Sequence, residues 1–179
     1  HACPHGLVCA LGTCRNGKEM VEIESVAFAS CVRRAEGTIA CWGQNDTGQL
    51  GRGVVGDPLP VGDVLGIDDA AEVSAGGRHV CARLRSGQLS CWGDNQWAEL
   101  GDGTRIGRSL PVQVSAIDDA IAHSAGVSSC AVRANGLLWC WGLNSHAKLN
   151  VGSAKDYQLT PSRVLDIDSI VAVGTGDPI

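Results

Sequence analysis

Cys31, Cys81 and Cys130 stand 50 and 49 residues apart, and the residues around them recur in phase. A second cysteine follows each at the same distance: Cys41, Cys91 and Cys140. Each of these precedes Trp-Gly, as Trp42-Gly43, Trp92-Gly93 and Trp141-Gly142, and then an asparagine, Asn45, Asn95 or Asn144. Leu50, Leu100 and Leu149 come next. Pro60, Pro111 and Pro161 mark the loop between copies, and Ile67, Ile117 and Ile167 each precede an aspartate. Gly76, Gly126 and Gly176 repeat the phase once more. Agreement at this many positions identifies a chain built from copies of one supersecondary unit.

The cysteine stretch predicts a β-hairpin. Gly37, Gly87 and Gly136 each stand six residues after the first cysteine. A three-residue loop ending in glycine suits a type I turn followed by a left-handed residue. Pairing outward from that loop opposes Cys31 to Cys41, Cys81 to Cys91 and Cys130 to Cys140. Opposed β-carbons lie roughly 4.5–5.5 Å apart, and a disulfide needs about 3.5–4.5 Å. The closer, non-hydrogen-bonded kind of pair therefore accommodates the bond. Recurrence once per unit favours structural cross-links over a metal or redox device. Each closes a short loop, worth on the order of 2–3 kcal/mol, and implies an oxidising compartment. Ile39, Leu89 and Leu138 share the cysteine face, and Trp42, Trp92 and Trp141 occupy the other. A strand with large residues on both faces is sandwiched between sheets. The three tryptophans are expected as core, each at an equivalent place in its own unit. Stacked sheets with one Trp-Gly per unit suggest a β-propeller, and a period of about 50 residues fits a four-stranded blade.

The runs Gly76-Gly77-Arg78-His79-Val80-Cys81-Ala82, Cys91-Trp92-Gly93-Asp94-Asn95 and Leu100-Gly101-Asp102-Gly103 resemble the regulator of chromosome condensation repeat in its cysteine-bearing bacterial secreted form. Gly48-Gln49-Leu50-Gly51 carries that family's closing motif unaltered. The third copy departs, with Ala147-Lys148-Leu149-Asn150 there, and the first has Val26 in place of the early glycine. The resemblance covers residues 21–179 and implies a seven-bladed propeller. The expectation is an all-β chain: an incomplete β-propeller of about three four-stranded blades, with three copies and the start of a fourth over residues 16–179. A closed propeller has at least about four blades, so the chain reads as a fragment whose remaining blades belong to the same polypeptide. Residues 1–15 form a separate cysteine-rich disulfide segment, with Cys3, Cys9 and Cys14. His1 and His5 lie nearby, but the closely spaced cysteine pair usual for zinc is missing.

The net charge of −5, without a basic run, argues against a nucleic-acid footprint. No segment approaches the ~18 continuous apolar residues of a membrane helix. No phosphate loop, nucleophile elbow or metal triad appears, so no catalytic residue, metal or cofactor is expected. His79 has no recurring nucleophile beside it and suits hydrogen bonding between blades. Asp68-Asp69 and Asp118-Asp119 suit turns. Arg33, Arg34, Arg83, Arg85 and Arg133 flank the hairpin turns as either a solvated rim or a polar binding edge. Trp139, which is not repeated, suits an extra core contact. Partner choice then falls to positions that differ at the same phase, just after the Trp-Gly-x-Asn run. Trp97, His146, Asp46 and Gln96 are the candidates there. The resulting expectation is an extracellular or cell-surface module that binds another protein through its rim loops. The resemblance also implies an alternative, guanine nucleotide exchange on a small GTPase, which needs a cytosolic or nuclear partner and conflicts with the cysteines.

Overall fold

Each repeat folds into one antiparallel meander of four strands. The computed structural model describes residues 7–10, 13–16, 19–26 and 28–175; Cys3, His1, His5 and Gly176 lie outside them. A hairpin of β1 (Leu7–Ala10) and β2 (Thr13–Asn16) comes first, with Cys9 and Cys14 as backbone register partners. Blade A is β3 (Met20–Val26), β4 (Ala29–Arg34), β5 (Ile39–Asn45) and β6 (Gly56–Asp63). Blade B is β7 (Ala70–Gly76), β8 (His79–Leu84), β9 (Leu89–Gly93) and β10 (Arg108–Gln113). Blade C is β11 (Ala120–Ser124), β12 (Ser128–Arg133), β13 (Leu138–Leu143) and β14 (Tyr157–Arg163). No α-helix occurs among the described residues.

The glycine turn sets the register of the two middle strands. The N–H groups of Gly37, Gly87 and Gly136 donate to Arg34, Leu84 and Arg133 oxygens at 2.9, 3.0 and 2.9 Å. Gly87 has φ +91°, and a β-carbon there would lie 2.9 Å from the Asp118 carbonyl oxygen of the next blade. Glycine is thus required both by the turn and by the close approach. The register that follows pairs Cys31 with Cys41, Cys81 with Cys91 and Cys130 with Cys140. All three pairs are disulfides, with α-carbons 4.1 Å apart, as a non-hydrogen-bonded pair allows.

The core lies between blades. Ile39, Leu50, Val64 and Ile67 of blade A and its loops pack with Val73, Val80 and Trp92 of blade B. Leu89, Leu100, Val114 and Ile117 pack in the same way with Ala120, Ala131 and Trp141 of blade C. Each buried tryptophan also bonds backwards. Trp92 Nε1 donates to the Gln49 carbonyl at 2.9 Å, and Trp141 Nε1 to the Glu99 carbonyl at 2.7 Å. Gly51 and Gly101 make room for the indole: a β-carbon there would lie 3.0 and 2.8 Å from Nε1. A second stitch runs the other way, with Ala70, Ala120 and Ile170 N–H groups donating to Gly37, Gly87 and Gly136 oxygens at 2.9, 2.9 and 3.0 Å. Ile170 thereby enters a fourth copy in phase.

Two expectations are corrected. The tryptophans do not share one environment within their own units. They pack on the preceding blade, and the described residues place no blade before Trp42. Trp92 and Trp141 are 0% and 1% exposed. Trp42 is only half-buried and lines an apolar groove with Met20, Val32, Ala40, Pro60 and Val61. Nor do Pro60, Pro111 and Pro161 lie in loops. They sit in the outer strands β6, β10 and β14, where an edge needs no N–H from them.

Urea denaturation of Trp92→Ala is expected to show a loss of about 3–5 kcal/mol. Trp42→Ala should lose about half as much, because part of that ring already faces water. Equal losses would place the two indoles in equivalent surroundings.

Candidate functional site

The loops after Trp-Gly-x-Asn are pinned from within. Asn45, Asn95 and Asn144 are buried, and their Oδ1 atoms accept from Leu50, Leu100 and Leu149 N–H at 3.2, 3.0 and 3.0 Å. Their Nδ2 atoms donate onward to the carbonyls of Val54, Ile106 and Lys155 at 3.0, 3.1 and 2.9 Å. One buried amide thus holds both limbs of each loop, and the residues just after it are turned outward. Asp46, Gln96, Trp97 and His146 are all exposed, Trp97 by 37%. His146 has φ +59° within a single 3-10 turn, Ser145–Ala147.

Three of these four meet around Arg78. Asp46 of blade A forms an ion pair with Arg78 of the β7–β8 turn. Arg78 in turn lines a cleft of about 160 Å³ with Gly76, Asp94, Gln96, Trp97 and Glu99. Val127 of the β11–β12 turn closes the side toward blade C. His146 does not line this cleft. His79 forms its floor at 2% exposure, with Nε2 3.1 Å from Ser129 Oγ of blade C, a bond between blades. Asp94 Oδ1 accepts from the N–H groups of Asn95 and Gln96 at 2.8 and 3.1 Å. Arg105 packs 5.9 Å from the Trp97 ring and 4.6 Å from that of Tyr157, and donates to the Gln96 carbonyl at 2.7 Å.

Glu99 is the unusual group. It is 5% exposed, and its carboxylate accepts from the Trp97 N–H at 2.8 Å. Burial pushes its carboxyl above the usual range and Asp94 adds to this, while hydrogen bonds from its own and the Trp97 backbone, and the charge of Arg105, oppose it. Gln49 holds the same phase in blade A and is neutral.

The hairpin arginines are committed to the fold rather than to a free edge. Arg33 pairs with Glu22 at 2.8 Å, Arg34 with Asp63 at 2.9 Å and Arg83 with Glu72 at 2.9 Å. Arg133 takes both Asp118 and Asp119, at 3.1 and 2.5 Å. Arg85 donates to the carbonyls of Ala35 and Glu36 in blade A at 3.2 and 3.1 Å. Trp139 packs half-buried against the B–C core. Among the described residues, no three His, Cys, Asp or Glu side chains converge to hold a metal ion.

Residues 70–96 match the family described as Regulator of chromosome condensation (RCC1) repeat. They span β7 to β9 and the first loop residues of blade B. Solved propellers share the fold. Human WBSCR16 matches with a TM-score of 0.74 at 21% identity, over 82% of this chain and 39% of that one. Yeast RCC1 (Prp20), in its complex with Kap60, matches with a TM-score of 0.68 at 19% identity, over 88% and 40%. Prp20p from Saccharomyces cerevisiae matches with a TM-score of 0.66 at 21% identity, over 82% and 38%. The chain thus spans about two-fifths of the length of each.

Within the repeat, sequence comparison of the copies points to Asp46, Gln96, Trp97 and His146 but passes over Glu99. Its signal is the change from Gln49 to Glu99 to Lys148 inside an otherwise repeated motif. Arg105 and Tyr157 carry no repeat signal, because they stand on neighbouring blades and meet only in the folded chain.

The raised Glu99 carboxyl gives a pH signature. Its contribution to stability is full below the unfolded value near 4.5 and is lost as pH rises through the higher folded value. Glu99→Gln is therefore expected to melt higher than wild type at pH 7, with the gap closing toward pH 4. A gap independent of pH would remove the carboxylate as its cause.

Proposed function

We propose that this chain is an extracellular or cell-surface protein-binding module without catalytic activity, and that its partner meets the rim loops at Asp46, Gln96, Trp97 and His146. The observation that carries this is the division of labour in each loop. A buried asparagine holds the backbone, so the neighbouring side chains stand exposed on a rigid base and differ from blade to blade. Such loops on a fixed scaffold are where recognition concentrates, and an exposed tryptophan is a frequent anchor. The structural neighbours support a protein partner: one structure describes the binding of Prp20p to Gsp1p and histones, and another holds yeast RCC1 with Kap60.

Three hairpin disulfides support an oxidising compartment. They weigh against guanine nucleotide exchange on a cytosolic or nuclear GTPase. No helix of the described residues is long and apolar enough to cross a membrane. We further propose that residues 16–179 form the propeller portion, distinct from the cysteine-rich residues 1–15. In this reading the half-buried Trp42 groove receives another blade of the same polypeptide, as the backward bonds of Trp92 and Trp141 suggest.

The test is binding to a partner isolated by surface cross-linking. Trp97→Ala and His146→Ala are each expected to weaken binding at least about tenfold while leaving the melting temperature unchanged. Wild-type affinity in both variants would remove the rim loops as the contact.

A further inference from the structure

The fold has no internal use for the charge on Glu99. Gln49 builds the same loop in blade A without one. Its Oε1 accepts from Thr47 N–H and Oγ1 at 2.9 and 2.8 Å, and its Nε2 donates to Asp46 at 3.0 Å. Glu99 keeps the backbone half of that arrangement, the bond from Trp97 N–H. Among the described residues, no lysine or arginine forms an ion pair with it and no other side chain donates to it. A carboxylate that is 95% buried without a direct ion pair is costly, and the Arg105 charge, which is held on the Trp97 and Tyr157 rings and the Gln96 carbonyl, offsets this only from a distance.

What surrounds it points to the missing partner. Glu99 faces the B–C cleft beside Asp94, and the one arginine lining that cleft, Arg78, is already paired with Asp46. Among the described residues, the lining thus carries two carboxylates without a direct ion pair, Asp94 and Glu99, beside His79, which bonds Ser129, with Arg105 outside on the far side of Trp97. Trp97 forms one wall, and its ring already accepts a guanidinium, that of Arg105. A volume of about 160 Å³ admits the end of one side chain and falls short of the usual range for a drug-sized ligand. A primary ammonium or guanidinium satisfies each of these features. It gives a charge-assisted hydrogen bond to the carboxylate and a cation–π contact to the indole. A metal ion does not, since no three ligating side chains converge among the described residues.

We propose that this cleft receives a lysine or arginine side chain of the partner protein, with Glu99 as its counter-ion and Trp97 as its wall. The proposal rests on the reading of the rim as a protein-binding face and names the chemistry of its central contact. An arriving cation stabilises the ionised carboxylate, so binding weakens as pH falls and Glu99 becomes neutral.

The test uses the whole chain and three probes: acetyl-lysine-amide, acetyl-arginine-amide and the neutral acetyl-norleucine-amide. The Trp97 indole N–H resonance is followed during titration. Both cations are expected to shift it saturably at pH 7, the neutral probe is not, and Glu99→Gln should weaken the cations at least about fivefold. Trp141 bonds the Glu99 backbone carbonyl rather than its side chain, so the variant keeps the contact between blades. An equal response to the neutral probe, or undiminished cation binding by Glu99→Gln, overturns the proposal. Partner binding separates the two readings. If Trp97→Ala weakens it and Glu99→Gln does not, the cleft is wrong and the rim stands. If neither Trp97→Ala nor His146→Ala weakens it, the rim reading falls and the cleft proposal falls with it.

Discussion

An indole N–H that reaches back to a carbonyl of the preceding blade ties this structure together. The blades share no strand, and each is a separate four-stranded sheet. What joins them is the apolar layer between neighbours, fixed at its centre by Trp92 on Gln49 and Trp141 on Glu99. The small residues follow from this constraint. Gly51 and Gly101 leave space for the ring, and Gly87 lets the opening of the next blade cross its hairpin. Blade C breaks the pattern, since Asn150 stands where the glycine would be. Its outer face presents Ile167 at 40% exposure, whereas Ile67 and Ile117 are covered at 5% and 1%.

Most of the architecture was legible because it is local. The hairpin glycines, the opposed cysteines and the alternation of Ile39 with Cys41 lie within a few residues of one another, and their spacing carries the register. What was less legible depends on a neighbour fifty residues away. Sequence places Trp42, Trp92 and Trp141 in one class, but their surroundings are set by whatever blade precedes them. The prolines were misread for a related reason. Nothing in Leu59-Pro60-Val61 distinguishes a loop from an edge strand until the sheet's order is known. Glu99 escaped because it lies inside a repeated motif, where a single change of amide to carboxylate looks like drift. Only its burial makes the charge conspicuous.

The repeat also separates holding from recognising at the scale of single residues. Asn95 is wholly buried, and Gln96 and Trp97 beside it are exposed. The residues that must stay the same are those with backbone partners on both limbs of the loop. Their neighbours face solvent and vary. Substitution at Gln96 or Trp97 therefore alters what the surface presents while leaving the buried asparagine and the indole bonds between blades in place, which is the condition for one scaffold to acquire different partners.

The placement of the disulfides bears on how such a chain matures. The six repeat cysteines admit fifteen complete pairings among themselves. This fold uses the one in which each of the six joins its nearest neighbour along the chain, ten residues away. Each bond belongs to a single hairpin, and hairpins form in about 1–10 μs, long before distant blades meet. The correct thiols are thus presented to one another as soon as each turn closes. Oxidation can proceed blade by blade as the polypeptide emerges, with sorting done by local geometry rather than by reshuffling among wrong partners.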